Sequence, residues 1–114
     1  MKTKIYYHQT DCGGVVYYAN YLHFLEEART EFLAERGVDI KDLISQGAFF
    51  VVSHQELDYK APAGYGDILD IATRVKEVSG VRINLEHEIK KTDGILIALA
   101  KTTLAFVNRD FRPK

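Results

Sequence analysis

An acid and a pair of glycines stand directly ahead of a helical pattern. Asp11 is followed by Gly13 and Gly14, and the run VVYYANYLHFLEEAR then leads from Val15 to Arg29. A carboxylate can accept a proton or attack as a nucleophile. The free N–H groups at a helix start can stabilise a negatively charged oxygen. The stretch therefore combines two catalytic group types, although an Asp beside glycines is more often a simple turn residue.

The other reactive residue types give weaker signals. Cys12 is the only cysteine, so no intrachain disulfide can form, and a reducing, cytoplasmic location is predicted. The four histidines do not have the spacing of a metal-binding motif, and no metal site is predicted. Gly13 and Gly14 do not belong to a phosphate-binding loop pattern.

Length and composition set limits on the fold and on the partners. The chain has 114 residues, of which 46% are hydrophobic and 27% charged, so one globular domain over 1–114 is predicted. A formal net charge of -1 gives no general attraction for nucleic acid. No segment reaches the ~20 apolar residues of a membrane span, and the N-terminus does not have the apolar core of a signal peptide.

One long helix is predicted from Asn20, with Asn20 or a neighbour as its cap and Gly37 as its stop. One face carries apolar residues at helical spacing: Tyr21, Phe24, Leu25, Ala28 and Phe32. Leu22 and Leu33 widen that face. A short second helix, capped by Asp39, is predicted to follow.

The remaining segments alternate as strands. A first strand is predicted over 2–7, and further strands follow the second helix, with turns at Ser79–Gly80 and Asp93–Gly94. Short hairpin connections exclude a parallel doubly wound sheet. The prediction is an α+β fold, with an antiparallel sheet of about five strands curled around the helix. Its apolar last strand and open edges favour a homodimer or homotetramer.

The segment YHQTDCGGVVYYANY, from Tyr7 to Tyr21, resembles a signature of the hotdog-fold acyl-CoA thioesterases. The likeness is to the 4-hydroxybenzoyl-CoA thioesterase family, especially its Tol–Pal-associated branch. The signature has Tyr, then Asp four residues later, then Gly-hydrophobic-Val-Tyr and Asn-Tyr before the helix. A weaker likeness lies in LDYKAPAGYGD, over 57–67.

The resemblance implies hydrolysis of a short-chain or aromatic acyl-CoA without a cofactor, at sites where two subunits meet. It implies that Asp11 is the general base or the nucleophile, that the Tyr18 backbone N–H polarises the thioester carbonyl, and that Tyr7 lines the site. Substrate-binding positions, including basic residues for the CoA phosphates, are predicted at Gly14, Val16, Asn20, Tyr21, Lys60 and Arg82.

Two positions depart from the family pattern. Gln9 stands where many relatives carry Asp, and Tyr18 stands where many in the Tol–Pal branch carry His. The backbone donor is kept in both cases, but a histidine contribution at the carbonyl is absent. The alternative function is a non-catalytic module of the same fold that binds acyl-CoA or acyl carrier protein.

Overall fold

The computed structural model describes all 114 residues and contains two α-helices and five strands. In chain order these elements are β1 (Lys2–Lys4), α1 (Asn20–Glu35), α2 (Ile40–Ser45), β2 (Ala48–Tyr59), β3 (Ile68–Ser79), β4 (Arg82–Lys91) and β5 (Leu96–Asn108). A single 3₁₀ turn, Tyr7–Gln9, lies between β1 and α1.

All five strands form one antiparallel sheet in the order β1-β3-β4-β5-β2. The last strand of the chain, β5, therefore lies inside the sheet between β4 and β2, which explains why it is apolar through most of its length. The 12-residue β2 forms one edge of the sheet. The predicted α+β fold, a five-stranded antiparallel sheet around one long helix, is confirmed.

Helix α1 lies on the sheet with the face that its sequence predicts. All five residues of the predicted stripe are buried, and Phe24 and Leu25 are completely inaccessible. Leu33 is also buried, but Leu22 is 46% exposed, so the prediction that Leu22 widens the buried face is wrong. The sheet covers one side of the helix, and Leu22 lies outside that contact. No helix in the chain is both long and apolar enough to cross a membrane.

The predicted turns and helix ends are mostly confirmed. Gly37 has a φ of 82° at the end of α1, and the Asp39 carboxylate accepts the N–H groups of Lys41 and Asp42 at the start of α2. The first strand is shorter than predicted, because the chain leaves the sheet after Ile5, whose N–H donates to the Asp67 carbonyl. That departure brings the next residues to the site described below.

Candidate active site

Asp11 lies in a small closed loop at the surface. Thr10 and Val16 form an isolated antiparallel bridge, and the Asp11 N–H donates to the Val15 carbonyl at 2.9 Å. The Asp11 Oδ1 atom accepts the Gly13 N–H at 2.8 Å. Gly14 has a φ of 79°, a left-handed conformation that glycine adopts without strain. The loop thus fixes the backbone of the acid while its carboxylate stays exposed to solvent.

Helix α1 begins immediately after this loop without a capping side chain. Ala19 occupies the N-cap position, and no side chain accepts a hydrogen bond there. Asn20, predicted as the cap or a substrate contact, instead donates its side-chain amide to the Gln9 carbonyl at 2.8 Å, and Tyr17 N–H donates to the same oxygen. The backbone N–H groups of Tyr18 and Ala19 donate to no group of the chain. The helix start therefore presents two free donors.

A second loop, over residues 63–67, packs against the Asp11 loop. The Val16 N–H donates to the Ala63 carbonyl at 2.8 Å, and Val15 bridges to Gly64. A Cβ atom on Gly64 would lie 3.3 Å from the Gly14 carbonyl oxygen, so the two backbones approach closely. The Asp67 carboxylate closes the supporting loop by accepting the Gly64 N–H at 2.8 Å. The position of the Asp11 loop thus depends on residues more than forty positions later in the chain.

Exposed tyrosines surround this region. Six of the seven tyrosines in the chain are more than 40% exposed: Tyr6, Tyr7, Tyr17, Tyr18, Tyr59 and Tyr65. The Tyr7 ring lies 5.8 Å from the Tyr65 ring, and the Tyr17 and Tyr18 rings are 4.8 Å apart. The Tyr18 hydroxyl raises the pKa of Tyr17 most, and the Asp11 carboxylate adds a smaller increase. The Asp11 carboxylate and the Tyr17 phenol are thus near enough to interact electrostatically.

The structure does not bring every predicted residue to this surface. The side chains of Val16 and Tyr21 are buried in the core, and burial raises the pKa of the Tyr21 phenol to about 12. Lys60 follows the end of β2, close to the helix start. Arg82 pairs with Ala105 near the opposite end of the sheet, and its guanidinium donates to the Ser53 hydroxyl at 3.2 Å.

The separation of Lys60 and Arg82 follows from the strand registers. Tyr59, the neighbour of Lys60, pairs with Ala98, whereas Arg82 pairs with Ala105 on the same strand. At about 3.4 Å per residue, these two positions lie about 24 Å apart along β5. Within one chain, Arg82 therefore lies far along the sheet from the end of β2, where Tyr59 bonds to Tyr18.

The arrangement has the groups required for attack on an acyl carbon. An exposed carboxylate can activate water or attack directly, and free N–H donors at a helix start stabilise the oxygen that becomes negative. The helix dipole adds to that stabilisation. No group of three or more His, Cys, Asp or Glu side chains is placed to hold a metal ion.

Two contacts of the site were not predicted from the sequence. The Tyr59 hydroxyl donates to the Tyr18 carbonyl at 3.0 Å, and Gly64 packs against the Gly14 carbonyl oxygen. Both residues lie in LDYKAPAGYGD, the segment that gave the weaker sequence signal. That segment was therefore the available clue, but only the fold shows which atoms it brings to the Asp11 loop.

Comparisons with known proteins identify the family of the chain. Residues 6–114 match the family model described as the thioesterase-like superfamily. The chain is 39% identical over 102 residues to the Haemophilus influenzae protein named acyl-CoA thioesterase YbgC, a match covering 89% of this chain and 73% of that protein.

Two solved structures are similar over the whole of this chain. A probable thioesterase from Bartonella henselae has a TM-score of 0.93 and 34% identity, and 94% of that chain is covered. A 1,4-dihydroxy-2-naphthoyl-CoA thioesterase from Synechocystis has a TM-score of 0.93 and 26% identity, with 85% of that chain covered. The chain therefore belongs to the thioesterase-like superfamily and has its hotdog fold, as the sequence motif predicted.

Proposed function

We propose that this protein hydrolyses acyl-CoA thioesters with Asp11 as the catalytic carboxylate and the Tyr18 N–H as the oxyanion donor. The enzyme class, acyl-CoA thioesterase, is that of the curated relatives and agrees with the prediction from the sequence. One observation supports the assignment of Asp11 and Tyr18. An exposed carboxylate is fixed in a closed loop shortly before α1, and the N–H groups of Tyr18 and Ala19, immediately before that helix, donate to no group of the chain.

Hydrolysis of a thioester moves negative charge onto the carbonyl oxygen as the acyl carbon is attacked. The free Tyr18 N–H, together with the positive end of α1, stabilises that charge. Asp11 supplies the attack in one of two ways. It removes a proton from water, whose oxygen attacks the acyl carbon and breaks the C–S bond, and the CoA thiolate that leaves takes up the proton. Alternatively, its own oxygen attacks the acyl carbon and expels the CoA thiolate, which gives a mixed anhydride that water then cleaves to the free acid.

The remaining predicted residues have supporting roles in this proposal. Tyr7 lines the site, with its ring held against Tyr65. Gly14 leaves the approach to the helix start free of a side chain, and Lys60 is the nearer of the two basic residues proposed for the CoA phosphates. For the acyl group we propose a short-chain or aromatic acid. The Synechocystis relative, which by its name acts on a naphthoyl-CoA, supports the aromatic option.

A second copy of the chain is part of the proposal. In the single chain Asp11, Tyr7 and Tyr18 lie on an open surface, whereas a thioester must be attacked in a site from which bulk water is excluded. The 12-residue β2 has an unpaired edge, and such edges readily pair with another strand. We therefore propose a homodimer in which the partner covers the tyrosine surface and contributes Arg82. Light scattering at micromolar concentration tests this, and a stable monomer would contradict it.

The catalytic assignment is tested with a panel of aliphatic, branched and aromatic acyl-CoAs, with detection of the released thiol. Asp11→Asn keeps the size of the side chain and removes its charge, and we expect kcat to fall at least ~10²-fold while the circular dichroism spectrum is unchanged. Asp110→Asn, which alters an exposed acid in the C-terminal tail, is the matched control. Near-normal turnover of Asp11→Asn would refute the assignment. Saturable binding without turnover by the parent would select the non-catalytic alternative.

A further inference from the structure

The hydroxyl of Tyr59 joins the end of β2 to the beginning of α1. It donates to the Tyr18 carbonyl oxygen at 3.0 Å across a separation of 41 residues. The Tyr59 ring also packs edge-on against the buried Tyr21 ring, with centroids 5.5 Å apart. The side chain is therefore held both at its tip and along its ring.

The acceptor of this bond belongs to a peptide unit that carries a free donor. The Tyr18 carbonyl and the Ala19 N–H are the two polar groups of one planar peptide. The same carbonyl accepts the Tyr21 N–H, but at 3.4 Å, which is long for a hydrogen bond of this type. Tyr59 thus supplies the shorter of the two bonds that fix the orientation of this peptide.

Hydrogen bonds to β5 fix the end of β2, where Tyr59 lies. Tyr59 pairs with Ala98 in β5, and the N–H groups of Lys60 and Ala61 donate to the Ile97 carbonyl at 2.8 and 3.2 Å. Burial and, to a smaller extent, the Tyr18 phenol raise the pKa of Tyr59, so its hydroxyl keeps the proton that it donates at neutral pH.

We propose that Tyr59 is a positioning residue for thioester hydrolysis. By bonding to the Tyr18 carbonyl, it fixes the peptide between Tyr18 and Ala19 so that the Ala19 N–H points, beside the Tyr18 N–H, to the substrate's carbonyl oxygen. A hydrogen bond to a carbonyl also polarises the N–H of the same peptide, which strengthens the Ala19 donor. This inference rests on the proposed function of the site and adds a residue that orients the Ala19 N–H donor.

The test uses Tyr59→Phe, which removes the hydroxyl and keeps the ring that packs on Tyr21. We expect kcat to fall about three- to tenfold, the range of one ordinary hydrogen bond, with KM within about twofold of the parent value. The loss is smaller than the 10²–10³-fold typical of removing an oxyanion donor, because both N–H groups remain. Ser45→Ala, which removes an exposed hydroxyl that donates to the Asp42 carbonyl in α2, is the matched control and should leave kcat unchanged.

A second measurement separates positioning from a general structural effect. Infrared spectra of a ¹³C-carbonyl-labelled acyl-CoA are recorded on Asp11→Asn and on the double variant that also carries Tyr59→Phe. Weaker polarisation in the double variant, seen as a carbonyl stretch closer to that of the free thioester, is the expected result. An equal stretch, an unchanged kcat, or a change in KM alone would overturn the role of Tyr59 and leave the hydrolysis proposal intact. Absence of turnover by the parent on every acyl-CoA would overturn both.

Discussion

Replacement of His87 should remove a large part of the acid sensitivity of the fold. His87 lies in β4 on the face that packs on α1, and it is only 3% exposed. Its Nδ1 atom lies 3.0 Å from the Thr73 hydroxyl, and its Nε2 atom is buried without a partner. Burial and, in second place, the positive charge of Arg29 on α1 lower the pKa of His87 to about 4.

The size of the effect follows from that pKa. In the unfolded chain a histidine has a pKa of about 6.5, so the unfolded state binds more protons than the folded state between pH 6.5 and 4. The free energy of unfolding should therefore decrease as the pH falls through this window. The full loss is about 3 kcal/mol by pH 4, and about 2 kcal/mol is already lost at pH 5. Above pH 6.5, His87 adds almost no pH dependence to the free energy of unfolding.

Urea unfolding followed by circular dichroism, between pH 4.5 and 8 at one protein concentration, measures this dependence. His87→Gln keeps a polar group beside Thr73 but cannot be protonated, so its stability should lose about 2 kcal/mol less than that of the parent between pH 8 and pH 5. His23→Gln, at an exposed position of α1, is the control and should follow the parent. Parallel stability profiles for the parent and His87→Gln would refute the reasoning.

Two further predictions concern left-handed glycines and the N-cap of α2. Gly14→Ala and Gly37→Ala each place a side chain in open space at a φ near 80°, so each should cost about 1–2 kcal/mol of stability in urea unfolding. Only Gly14→Ala should also lower kcat, because Gly14 belongs to the Asp11 loop, and equal activity of the two variants would contradict that. Asp39→Ala removes the cap of α2 and should lower the free energy of unfolding by about 1 kcal/mol, whereas Asp110→Ala should not.

The sequence was sufficient for features that depend on neighbouring residues. The buried face of α1, the cap at Asp39 and the turn at Gly94 follow from local spacing and from the conformations that particular residues favour. In β4, Leu85, His87 and Ile89 alternate with polar residues, which by itself indicates that the three share one face, and all three are buried. Such patterns depend only on neighbouring residues, and they indicate on which face of a helix or strand a side chain lies.

Features that depend on distant segments could not be predicted in this way. Leu22 has the spacing of a core residue but is 46% exposed, because the extent of the sheet over α1 is decided by the fold. Likewise, the bond from Tyr59 to Tyr18 joins residues 41 positions apart. For the Asp11 loop, the family motif identified Asp11 and Tyr18 as candidates, but it could not show that Asn20 bonds to the Gln9 carbonyl and that no side chain caps the helix start.

The uncapped start of α1 has a functional explanation when it is compared with α2. The N-cap of the six-residue α2 is an aspartate whose carboxylate accepts two backbone N–H groups, whereas the N-cap of the sixteen-residue α1 is Ala19, which has no capping side chain. An acidic cap at α1 would place a negative charge where the substrate oxygen is proposed to become negative, and would raise the energy of that state. Departures from stable local design concentrate at functional sites. The missing cap, the left-handed Gly14 and the exposed tyrosines all lie beside Asp11, and this coincidence supports a site selected for catalysis at some expense of stability.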